Sequence, residues 1–281
     1  MNASTRSAAL VGGDVRQVEV QVHVGGQESA FRLSGLPDTA VREAKDRVRA
    51  AINSAGMWFP NRRVTVNLAP ADIPKSGTDF DLPIALGVLA ASGEVTLQSQ
   101  AVAVGELGLD GRVRPAAGAI GAAVLSARLG IPCLVPASVA SRVAVVPGSR
   151  VYGVATLADA VAFLKAGPDG REPARPDEGD ADPEVLDMAD VQGQPVARRA
   201  MEIAAAGGHH VLLYGPPGGG KTMLARRFPS ILPQLDEEAA VEVALIHAAA
   251  GLDRRMVRVP PFRSPHHTAT RVALVGGGSG M

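Results

Sequence analysis

Residues 210–228 read HVLLYGPPGGGKTMLARRF: an apolar run, a glycine-rich turn, and the beginning of a helix. Within it, Gly215 to Thr222 (GPPGGGKT) matches the phosphate-binding pattern G-x-x-x-x-G-K-[ST], and the strand, turn and helix around it is the setting that pattern requires. At this composition, roughly 0.004 chance matches are expected over all start points, so coincidence is a poor explanation. The stretch therefore places the second half of the chain among α/β nucleotide-binding folds.

Each residue of the motif has its own chemical reason. Gly215, Pro216 and Pro217 form the entry to the turn. Gly218, Gly219 and Gly220 let the backbone curl into a nest whose N–H groups point at phosphate oxygens, a conformation that Cβ atoms obstruct. Lys221 supplies positive charge to the β and γ phosphates, and the Thr222 hydroxyl is a ligand for the Mg²⁺ that bridges them. A glycine-rich turn that binds nothing would not account for Lys-Thr at that offset.

Around the motif, the spacing predicts a helix over about Val196 to Ala206, a strand over His210 to Tyr214 and a helix from Lys221. A further helix is expected from Asp236 to Ala250, with Asp236, Glu237 and Glu238 at its positive end. Pro260 to Thr270 reads as a polar loop. His209 with His210 and His266 with His267 are adjacent pairs without a cysteine or suitably spaced carboxylate, so zinc is not indicated. Arg263, His266, His267 and Arg271 cluster in the loop, where they are either solvated or set near a phosphate or a neighbouring subunit.

Upstream lies the sharpest change in composition. Gly167 to Asp190 holds nine acidic and two basic residues and four prolines, a local charge of −7 in a chain whose 28 basic and 28 acidic residues balance, so the remainder carries +7. Such a stretch cannot bury enough apolar surface to order itself and reads as a linker. At 281 residues the chain has room for two domains. The expected division is domain one at 1–167, linker at 168–190 and domain two at 191–281.

Domain one alternates strands and helices. VEVQVHV from Val18 to Val24 is followed by Gly25 and Gly26 and then by Phe31 to Leu33, a strand-turn-strand pattern. Asp38 to Ala55 carries Val41, Ala44, Val48 and Ile52 at helical spacing. Strands are expected at Val64 to Leu68, Val102 to Glu106, Ile131 to Val135 and Val151 to Val154. Helices are expected at about Leu82 to Ala91, Ala117 to Leu129 and Thr156 to Lys165. The result is a mixed α/β layer structure with no solenoid repeat.

Composition excludes several classes. The longest uncharged apolar stretch, Leu82 to Gly93, falls well short of a bilayer span, and no membrane span or export signal is expected. The single cysteine, Cys133, lies in an apolar run and cannot form an internal disulfide, which fits a reducing, cytoplasmic setting. Aromatics at 3% disfavour base-stacking platforms.

Longer blocks carry a resemblance that spans nearly the whole chain. They are SAALVG from Ser7, LSGLPDTAVREAKDRVRAAI from Leu33, NLAPADIPKSGTDFDLPIALGVL from Asn67 and GELGLDGRVRPAAG from Gly105. In the second half they are LLYGPPGGGKTMLARRFPSILP from Leu212 and PFRSPHHTATRVALVGGG from Pro261. On these blocks the chain resembles the magnesium-chelatase-like AAA+ ATPases of the ComM/YifB family.

The resemblance implies a ribosomal-S5-like, Lon-protease-like α+β domain followed by an AAA+ P-loop domain, with ATP and Mg²⁺ bound at residues 215–222. It implies a homo-hexameric ring that moves DNA by branch migration in recombination and transformation. It also implies further segments after the GGG block: an acidic strand of the LFLDE type, a sensor, an arginine finger and a lid. None of these precedes Met281, so the expectation is an incomplete AAA+ domain, arising by truncation, gene splitting or frameshift, with little ATPase activity of its own. Three alternatives stand beside this reading. In a Lon-like peptidase, Asp79 would occupy the nucleophile's place and Ile120 the lysine's, and acyl transfer needs both groups. A magnesium-chelatase motor subunit acting on porphyrin would not carry the Lon-like domain in front. The last is an inert or purely interacting fragment.

Overall fold

The computed structural model describes residues 1–177, 186–252 and 256–276. They divide into two compact units, Met1–Asp177 with Ala244–Arg255, and Glu178–Val243 with Met256–Met281.

In the first unit the strands are β1 (Asn2–Val11), β2 (Asp14–Gly25), β3 (Ala30–Ser34), β4 (Arg63–Ala69), β5 (Val102–Ala103), β6 (Glu106–Leu107), β7 (Val113–Arg114), β8 (Cys133–Pro136) and β9 (Val151–Val154). The helices are α1 (Thr39–Arg42), α2 (Ala44–Ser54), α3 (Asp81–Ser92), α4 (Ala119–Leu129), α5 (Ala140–Val143) and α6 (Leu157–Ala166). Seven strands form one sheet in the order β3-β4-β2-β1-β5-β8-β9. Pairing is antiparallel only between β4 and β2 and between β2 and β1, so the sheet is mostly parallel. β6 and β7 make a separate hairpin.

The alternation in β2 turns Val18, Val20, Val22 and Val24 into the core and Gln21 and His23 outward. On the outward face Ser34 donates to Asn67 at 3.0 Å, Asn67 to Gln21 at 3.0 Å and Gln21 to Glu19 at 3.1 Å, a polar chain across three strands. Beneath the sheet lies α3, buried on every side from Leu82 to Leu89, as a helix without a polar face must be. Gly87 is tolerated in mid-helix because a Cβ there would come within 2.7 Å of Val22. It is the close approach of helix to strand that requires glycine.

Three features depart from the sequence-based expectation. β1 lies at the centre of the sheet, yet Ser-Thr-Arg-Ser-Ala-Ala has no clean alternation and only Thr5 as a β-branched residue to mark it as a strand. The helix expected from Asp38 to Ala55 is two helices joined at Glu43, with Asp38 capping the first by accepting the Val41 N–H at 2.8 Å. The strand expected from Val102 to Glu106 ends at Ala103, and the chain turns at Gly105 into the hairpin.

Residues 168–177 belong to the first unit. Arg171 stacks over the Phe163 ring at 5.3 Å, and the Ala174 N–H donates to Val151 at 2.7 Å. The remainder of the acidic stretch lies partly outside the described residues. The second unit holds α7 (Pro195–Gly207), α8 (Lys221–Arg227) and α10 (Arg271–Val275), while α9 (Glu237–Ala249) spans the division. Its core joins Met188, Val191, Met201 and Leu224, with Leu213, Met223, Phe228 and Ile231 against them. Among the described residues, no helix is long and apolar enough to cross a membrane.

Candidate functional site

Pro195 opens α7 at a position where an N–H would have had no helical partner. The helix buries Met201, Ala204 and Ala205 and ends at Gly208. The chain then runs extended toward the glycine-rich turn. The strand expected at His210–Tyr214 is absent: all nine strands among the described residues lie between Asn2 and Val154, so this run has no neighbour with which to form a ladder. Leu213 packs into the core, while Leu212 is 91% exposed and Tyr214 98% exposed.

The motif residues are brought together as one exposed turn leading into α8. Gly215 to Gly219 and Thr222 are exposed, and Gly220 and Lys221 are half-buried. Gly218 and Gly220 take φ values of 81° and 78°, the left-handed region in which a side chain would be strained. The loop's carbonyl groups are held from within: Lys221 Nζ donates to the oxygens of Gly215 at 2.8 Å and Pro216 at 2.6 Å. The Gly219 N–H donates to Pro216 at 3.3 Å. Gln194 Nε2 reaches the Gly219 oxygen at 3.5 Å. The N–H groups of Gly218, Gly220, Lys221 and Thr222 have no protein acceptor among the described residues. The turn thus offers free donors, a lysine ammonium beside them and an exposed hydroxyl at Thr222.

His266 and His267 stack on each other with ring centroids 4.2 Å apart, and His266 Nδ1 lies 2.7 Å from the Thr268 hydroxyl. They are exposed, as are Arg263 and Arg271. Among the described residues, no group of three or more His, Cys, Asp or Glu could hold a metal ion.

In the first unit, residues 75–81 are tied down on several sides. Lys75 is wholly buried, and its ammonium donates to the Pro70 carbonyl. Asp38 accepts the Gly77 N–H at 2.9 Å, and the Thr78 hydroxyl donates to Glu106 at 2.7 Å. Asp79 accepts the N–H groups of Gly118 and Ala117 at the start of α4, and burial pushes its carboxyl up to about 6. Burial pushes Asp81 up as well, against the pull of Arg47, whose guanidinium the same carboxylate holds more firmly protonated. Ser76 is exposed, and Ile120 is a half-buried residue of α4. Asp79 and Ile120, which stand where a Ser-Lys pair would need its serine and lysine, supply neither group.

A mostly parallel α/β sheet unit, followed by a glycine-rich turn with lysine and threonine at a helix start, defines an α/β protein with a phosphate-loop motif. Residues 18–138 match a family described as subunit ChlI of Mg-chelatase, and residues 187–281 match magnesium chelatase, subunit ChlI. The chain is 43% identical over 282 residues to an uncharacterized protein of Mycobacterium tuberculosis, covering 98% of this chain and 56% of that one. It is 40% identical to YifB of Escherichia coli, covering 96% and 54%, and 39% identical to competence protein ComM of Haemophilus influenzae, covering 97% and 55%. The chain belongs to the magnesium-chelatase-like ComM/YifB family. It spans about half the length of these curated relatives.

Gln194 was not legible as a site residue. Its backbone lies in the left-handed region at φ 55°, directly before a proline, and no local pattern marks such a conformation for glutamine.

Proposed function

We propose that the chain binds ATP with Mg²⁺ at residues 215–222. Lys221 supports this reading most directly: its ammonium lies against the turn, on the Gly215 and Pro216 oxygens, as a positive charge in the loop that carries the free N–H groups. Those donors and the exposed Thr222 hydroxyl fit a triphosphate and its magnesium, so Gly218, Gly220 and Lys221 would hold the phosphates and Thr222 the metal. The bound magnesium would neutralise charge on the β and γ phosphates.

In the whole protein, the site would serve an AAA+ ring of six copies, with a Lon-like domain at 1–167 and a linker at 168–190, acting on DNA in branch migration. A relative named as a competence protein supports DNA as the substrate. A chelatase-type motor is the second reading, favoured by the descriptions of both family matches. Identity over nearly the entire chain to YifB and ComM supports the first.

The test is binding of a fluorescent ATP analogue to the 281-residue chain. Lys221→Ala abolishes binding if the reading is right, because it leaves phosphate charge uncompensated, while Ser76→Ala has no effect. Equal binding by wild type and Lys221→Ala overturns it.

A further inference from the structure

Two non-glycine residues among the described ones have positive φ, Leu36 and Gln194. Gln194 sits in the second unit, between Gly193 at φ 77° and Pro195, and its carbonyl accepts the Arg198 N–H at 2.9 Å to start α7. The turn is closed a second time by Arg198 Nη1, which donates to the Val191 oxygen at 3.2 Å. Val191 itself is buried in the core. A strained backbone persists only where its surroundings over-determine it, and such strain gathers at sites where a side chain must be aimed. Here the carboxamide is aimed at the Gly219 carbonyl, 25 residues away in sequence.

The same loop is braced from its other end by Lys221, on Gly215 and Pro216. Among the described residues, Gln194 is thus the side chain from outside the motif that reaches its carbonyl side. A donor on a peptide's carbonyl fixes the direction of its plane, and so of the following N–H, which belongs to Gly220. That N–H has no protein acceptor among the described residues and is therefore one of the donors open to a phosphate.

We propose that Gln194 is a positioning residue of the phosphate site: it holds the Gly219–Gly220 peptide so that the Gly220 N–H faces a triphosphate. This rests on the reading of residues 215–222 as a nucleotide site. Gln194 would act on the phosphate chain and not on the base or ribose. The substitution Gln194→Gly separates aim from architecture, because glycine relieves the left-handed strain while removing the carboxamide. Gln194→Glu puts an acceptor where the donor was.

The experiment measures displacement of a fluorescent ATP analogue, with inorganic tripolyphosphate as competitor, in wild type, Lys221→Ala, Gln194→Gly and Gln194→Glu, together with melting temperatures without ligand. Gln194→Gly is expected to weaken both the analogue and tripolyphosphate by about threefold, the effect of one long, exposed hydrogen bond, with melting unchanged or raised. Gln194→Glu is expected to weaken both further. Binding lost in Lys221→Ala but unchanged in Gln194→Gly overturns the proposal and leaves the nucleotide reading intact. Loss for the analogue alone, or a loss matched by a lower melting temperature, also overturns it. If wild type binds neither probe, the nucleotide reading itself fails.

Discussion

Arg47 lies across the carboxylate of Asp81, with Nε 2.6 Å from Oδ2 and Nη2 3.0 Å from Oδ1, a bidentate pair linking α2 to the first residue of α3. The Leu107 N–H adds a third donor at 3.2 Å, so the β6–β7 hairpin is joined to the same carboxylate. One acidic side chain thus fixes two helices and a hairpin. Its side chain is almost wholly buried, so its charge depends on the partner.

Arg47→Ala is expected to destabilise the first unit by about 3–5 kcal/mol, because it strands a buried carboxylate. Asp81→Asn in the Arg47→Ala background should recover part of that loss. Urea unfolding followed by circular dichroism is the measurement, since the only tryptophan, Trp58, is 72% exposed and reports poorly on the core. Full stability in Arg47→Ala would show that the pair contributes nothing.

Asp79 makes stability depend on pH. Burial is the main cause of its rise from 3.8 to about 6, with Asp81 and Glu106 repelling the charge and the Gly118 and Ala117 N–H groups favouring it. A folded value above the unfolded one means that the folded state holds the proton longer. Stability from this group is therefore full below pH 4 and is lost as pH climbs through 6, by about 3 kcal/mol. In Asp79→Asn that slope should be absent, so variant and wild type diverge between pH 4 and 7. Parallel curves across that range would count against the account.

Gly118 is the residue that lets Asp79 in. A Cβ there would lie 2.6 Å from Asp79 Oδ2, although the backbone itself, at φ −75°, suits any residue. Gly118→Ala should cost about 1–3 kcal/mol through crowding alone. The cost should shrink in an Asp79→Ala background, a coupling that a double-mutant cycle reads directly. Additive effects would mean that the two do not share space.

Cys133 is wholly buried in β8, and burial pushes its thiol up to about 12. The thiolate is the reactive form, so native protein at pH 8 should react with a disulfide reagent only at the rate of unfolding, and at once in denaturant. Rapid labelling of the native chain would contradict the burial.

The features legible in the sequence are those written in local pattern. β2 alternates, α3 is apolar throughout, and the helices expected at Ala117 to Leu129 and Thr156 to Lys165 are α4 and α6. The phosphate motif is legible for a related reason, since its chemistry needs particular residues at consecutive positions. β1 was not, because small residues at the centre of a sheet are chosen by what packs on both faces. The expected strand at His210–Tyr214 failed on a different ground: a strand propensity is realised only beside another strand. Gln194, and the seat of Asp79 on the start of α4, depend on segments brought together by folding, and no spacing rule connects them.

The chain has two tyrosines, and they differ as far as two can. Tyr152 is 7% exposed and packs on Phe163 with ring centroids 4.7 Å apart, whereas Tyr214, directly before the glycine-rich turn, is 98% exposed. Nitration would therefore mark Tyr214 selectively in the folded chain, and its protection would footprint any molecule that covers the run from His210 to Tyr214, with Tyr152 in the same digest as the internal standard for intact folding.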